Sequence, residues 1–134
     1  MALTLAAKTR LCALAADSKK AENIIGLNVH DLSSIADHFL ICSGGSDRQV
    51  QAIVDAIDEE LHQQGERPLG IEGYQKGTWV LMDCADLIVH VFDEETRRFY
   101  DLERLWGRAE RLDLGDIEAE TVAPVELHGT FVEE

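Results

Sequence analysis

The sequence predicts an α/β sandwich, two or three layers deep, built on a mixed five-stranded sheet. Three observations carry that expectation. Val50, Ile53, Val54, Ile57 and Leu61 recur at helical spacing and form one apolar stripe. HFLICSG, residues 38–44, is apolar on both faces, the mark of a strand covered from both sides. GTWVLMDCADLIVHVFD, residues 77–93, alternates with a period of two on either side of a DCAD turn and reads as a hairpin. The resulting order is helix, two strands, helix, three strands, helix.

Residues 3 to about 20 are expected as the first helix, because Leu5, Leu11 and Leu14 can share one face. Lys8 and Arg10 break the apolar stretch, so this start lacks the core of a secretory signal; its basic, nearly acid-free composition leaves a mitochondrial presequence as the other reading. NIIGLNV, 23–29, follows as a strand, then a polar turn, then strand 38–44. Ser46 with Gln49 matches the S-x-x-Q capping box at the start of the second helix, and Gly65 stands where it should stop. PLGIEGY, 68–74, is a short extended piece. In the hairpin, Trp79, Leu81 and Asp83 point to one face and Val80, Met82 and Cys84 to the other. EETRRFYDLERLWG reads as a last helix or a pair of helical turns, with Leu102, Leu105 and Trp106 on one side and Gly107 at its end. Residues 1–107 form the expected domain, and 108–134 read as an acidic, mobile tail.

The 134 residues suit one core. The formal charge is −14, from 26 acids against 12 bases, which disfavours direct DNA or RNA binding and favours a basic protein partner. No apolar run is long enough for a membrane helix. Cys12, Cys42 and Cys84 lie in apolar segments without a CxxC, as buried free thiols of a reducing cytosol would. The histidines show no HxxxH spacing, so no metal site is expected.

SGGS, 43–46, between a strand and a helix is the pattern that can cradle phosphate. A nucleotidyltransferase needs in addition an Asp-x-Asp pair on the following strand to hold divalent metal. That strand, PLGIEGY, has only Glu72, and Asp93-x-Glu95 falls where a helix begins. Gly44, Gly45 and Ser46 are therefore read as a structural turn and helix cap, with no catalytic residue, metal or cofactor expected. A metal-dependent nucleotidyltransferase and a non-catalytic nucleotide-binding module remain the alternatives. His90 reads as a structural histidine between Val89 and Val91. An aromatic beside aliphatic groups and rimmed by carboxylates suits protein binding, and Glu72, Trp79, Leu81, Asp83 and Tyr100 are the candidate contacts.

AENIIGLNV, SSIADHFLICSGGSDRQVQAI, GIEGYQKGTWVLMDCADLIVHVF and RRFYDLERLWG, in this order across about residues 8–107, resemble the ribosomal silencing factor family, also called Iojap-like. The resemblance implies a nucleotidyltransferase-like fold without that catalysis. It implies a cytoplasmic translational repressor that binds the large ribosomal subunit through the ribosomal protein numbered fourteen and blocks joining of the small subunit. It implies as well that members can form homodimers.

Overall fold

The computed structural model describes residues 3–115. Helix α1 (Leu5–Ser18) starts at Thr4, whose hydroxyl accepts from the Ala7 N–H. It leads into strands β1 (Glu22–Asn28) and β2 (His38–Gly44), then helix α2 (Asp47–Gln63). Strands β3 (Gly70–Glu72), β4 (Trp79–Cys84) and β5 (Leu87–Asp93) follow, then α3 (Glu94–Tyr100), the single turn α4 (Leu102–Leu105) and β6 (Glu110–Arg111). The strands form one six-stranded sheet in the order β3-β4-β5-β2-β1-β6. Only β2 and β5, the central pair, run parallel; every other neighbour is antiparallel.

Alternation sorts the strand residues into two cores. On one face, Leu40, Cys42, Val80, Met82, Leu87, Val89 and Val91 pack against Leu11, Ala15, Val50, Ile53 and Ile57 of the paired helices α1 and α2. On the other, Phe39, Ile41, Ile88 and Phe92 pack with Leu27, Val29 and Leu102, and Trp79, Leu81 and Trp106 lie partly buried against them. The central strands are buried on both sides, which is why their sequences read as unbroken apolar runs.

Lys8 is a buried charge that the apolar reading of α1 does not anticipate. Its ammonium donates to the Cys84 carbonyl at 3.0 Å and pairs with Asp86 at 2.9 Å and Glu66 at 3.8 Å, tying α1 to the β4–β5 turn. Burial alone would lower its pKa; the Asp86 hydrogen bond and the two carboxylate charges outweigh that and raise it. The three cysteines are free and buried, and burial pushes the Cys42 and Cys84 thiols up to about 12.

Three expectations need correction. The sheet has six strands, not five, because Glu110 and Arg111 pair with Asn28 and Leu27 of β1. These residues, with Leu112 against Gly26 and Leu114 against the helix-side core, fall in the stretch read as tail; residues 116–134 of that stretch lie outside the described residues. The last helical stretch is a pair of helical pieces, α3 and the single turn α4, one of the two forms its sequence allowed, but its apolar residues do not share a side. Asp101 adopts a left-handed conformation (φ 51°, ψ 57°) and caps α3 through its N–H to the Arg97 carbonyl, so the chain turns before α4. Leu102 is therefore buried and Leu105 is 72% exposed, rather than both sharing one buried side.

Candidate functional site

The turn at 43–46 is closed by its own side chains. The Ser46 hydroxyl accepts from the Gln49 N–H at 3.1 Å, and the Gln49 carbonyl oxygen accepts from the Gly45 N–H at 2.6 Å. The Gln49 amide nitrogen donates to the Lys19 and Lys20 carbonyls, joining the end of α1 to the start of α2. Asp47 takes the Arg48 N–H, and the Val50 N–H goes to the Ser46 carbonyl. Gly44 lets the strand end pass close to α2: a Cβ there would lie 3.1 Å from the Val50 nitrogen, tighter than ordinary contact. At the neighbouring strand end Arg97, 8% exposed, donates to the Ser43 hydroxyl at 2.7 Å and to Glu103 at 2.7 Å and 2.9 Å. The N–H groups of Gly45, Arg48, Gln49 and Val50 are thus taken by protein acceptors, and an internal guanidinium sits beside the strand's C-terminal end. Among the described residues no group of three or more His, Cys, Asp or Glu is arranged to hold a metal ion.

The five candidate contact residues share the sheet face opposite α1 and α2. Register sets Glu72 of β3 beside Leu81 of β4, Leu81 beside His90 of β5, and His90 beside Ile41 of β2. In the next row Asp83 lies beside Ile88, and at the other end Trp79 lies beside Phe92. Trp79 stacks on Phe92 with ring centroids 4.9 Å apart, and Tyr100 reaches over from the end of α3 to 4.7 Å from the Trp79 ring. Trp79, Leu81 and Asp83 are half-buried, whereas Glu72 and Tyr100 are exposed. Asp83 also accepts from the Ala85 N–H at 3.1 Å, so part of its carboxylate stabilises the β4–β5 turn.

Phe99 and His90 complete this surface. Phe99, 78% exposed, meets Tyr100 edge-on at 5.0 Å, and with Trp79, Lys76 and Glu95 the pair lines a shallow groove of about 340 Å³. His90 lies under the face, edge-on to Phe39 at 5.0 Å, with its Nδ1 3.2 Å from the Trp79 indole nitrogen. Burial pushes its pKa down to about 4, so the ring is neutral near neutral pH. The other two histidines near the sheet do separate work: His30 pairs with Asp37 at 2.8 Å, and His38 is hydrogen-bonded to the Thr9 hydroxyl at 2.8 Å.

The chain is thus an α/β protein with a glycine turn tied by its own side chains and one half-open aromatic and acidic sheet face. The model described as "Ribosomal silencing factor during starvation" matches residues 3–128, and the chain belongs to this family. A ribosomal silencing factor of Bacillus subtilis is 44% identical over 105 residues, covering 78% of this chain and 89% of the relative. One of Halalkalibacterium halodurans is 45% identical over 105 residues, covering 78% and 90%. A crystal structure of a protein from Chromobacterium violaceum superposes with a TM-score of 0.77 at 33% identity, covering 78% of this chain and 88% of that one.

Proposed function

We propose that this protein is a translational repressor that docks on the large ribosomal subunit and, by occupying the surface where the small subunit joins, keeps the two apart. The contact is made by Glu72, Trp79, Leu81, Asp83 and Tyr100 with the basic ribosomal protein numbered fourteen. The observation that carries the reading is the convergence of these five residues, drawn from β3, β4 and α3, on a single half-open face. Family membership supports the ribosome as the target. A net charge of −14 favours encounter with a basic surface, and the aromatic centre with its carboxylate rim suits a desolvated anchor inside a polar ring. Such a blocker acts in the cytoplasm by occupancy, without turnover or a cofactor.

Sedimentation with purified subunits tests this. The protein is expected to travel with the large subunit and to reduce its pairing with the small one. The Trp79→Ala, Asp83→Lys double variant is expected to stay behind at the top of the gradient. Retention of the double variant on the large subunit would move the interface to another surface.

A further inference from the structure

His90 is an expensive residue for its position. It is 5% exposed and packed between Phe39 and Phe92, where phenylalanine or leucine would bury apolar surface without a polar atom. An indole N–H can only donate, so the 3.2 Å contact with Trp79 Nε1 requires His90 Nδ1 to be the acceptor. In the neutral ring the proton then sits on Nε2. That atom is buried and has no hydrogen-bond partner among the described residues. A buried donor left without an acceptor costs free energy, and a protein that tolerates one commonly gains something else at that site.

The gain lies in the asymmetry of indole. Trp79 stacks on Phe92 with the ring planes 27° apart and meets Tyr100 at a tilt of 46°, and ring contacts of this kind can persist when the indole flips about its own plane. Stacking therefore holds the plane of the ring and leaves open which edge carries Nε1. The hydrogen bond to His90 decides that.

We propose that His90 is a positioning residue of the docking face, whose Nδ1 holds the Trp79 indole in the single flip state that the partner surface recognises. The inference rests on the docking reading above and adds the residue that pre-orders its central anchor. Without the acceptor, the docking orientation leaves the indole N–H buried and unbonded. The ring then favours states that release it to solvent, and apparent affinity falls with the fraction left in the competent state.

Three substitutions separate this role from simple packing. His90→Phe and His90→Leu fill the site and remove the acceptor. His90→Asn places a carbonyl oxygen where Nδ1 stood. Large-subunit binding is expected to weaken by about tenfold in the Phe and Leu variants and to return to within about twofold in the Asn variant, since one buried N–H left unbonded is an effect of that order. In ¹⁵N NMR spectra of the unsubstituted protein, the Trp79 indole N–H should exchange slowly and show coupling across its hydrogen bond to His90, with the histidine proton on Nε2. Equal binding by the Phe, Leu and unsubstituted proteins would overturn the inference, as would a histidine proton on Nδ1. If the unsubstituted protein itself does not travel with the large subunit, the docking reading fails and takes this role with it.

Discussion

The two faces of the sheet are made from the same strands and do opposite work. On the helix side, every second residue of β4 and β5 is sealed beneath α1 and α2, and the packing is aliphatic apart from the buried thiols and Lys8. On the other side the rings of Trp79, His90 and Phe92 from these strands continue to Phe39 of β2 and to Tyr100 of α3, under short helices that leave the β3–β4 end half-open. Aliphatic packing under long helices secures the fold. Rings beneath a partial cover keep large contact area available at low conformational cost, which is what an interface needs. In the proposed function, stability and recognition are thereby assigned to opposite sides of a single strand pair, one residue apart.

The largest effect should come from the sealed face. Ile53→Ala empties a fully buried site and should lower stability by about 3–4 kcal/mol, with binding per folded molecule unchanged. Chemical denaturation alongside subunit sedimentation checks both halves of that statement, and lost binding in the folded variant would break the division between faces.

The next effect is a pH dependence confined to the aromatic face. His90 takes up its proton near pH 6.5 when unfolded and near pH 4 when folded. Between these values the unfolded chain holds more protons, so stability falls as pH falls, by about 3 kcal/mol in total. Above pH 6.5 the group contributes no slope. In His90→Phe that part of the curve should flatten relative to the unsubstituted protein, as denaturation series at pH 7, 5.5 and 4 would show; parallel curves would mean that burial does not hold the ring neutral.

Docking follows in size. The Trp79→Ala, Asp83→Lys pair should weaken large-subunit binding by more than about 100-fold, because it removes the central anchor and reverses a rim charge. The variant should still fold, with a stability loss no larger than that of Ile53→Ala because Trp79 is only half-buried. Collapse of the fold in this variant would mean that the open face is structural after all.

The smallest effect belongs to neither face. Ser46→Ala removes the cap of α2 and should cost about 1 kcal/mol by denaturation, with no change in binding. A loss of subunit binding without a loss of stability would show that the turn at 43–46 has a function besides closing the chain.

Much of this architecture could be read before folding because it depends on local periodicity. The stripe Val50 to Leu61, the alternation from Trp79 to Phe92 and the Ser46–Gln49 box each lie within one element, where backbone geometry alone decides which side chains share a face. Trp79, Leu81 and Asp83 fell together for that reason. The break at Asp101 did not, because a left-handed residue is permitted to aspartate without being demanded by it. Nor did β6, whose two residues become a strand only by meeting the edge of β1.

The chain's own order of apolar and polar residues thus determined the elements, their inward faces and the acidic character of the whole. Tertiary structure alone decided that Glu72 would lie beside Leu81 and Tyr100 against Trp79, that Arg97 would lodge beside Ser43, and that His90 would become the acceptor for an indole eleven positions away. Those pairings depend on strand register and helix docking, which are set by how the two cores close together, and no periodicity within a single segment encodes them.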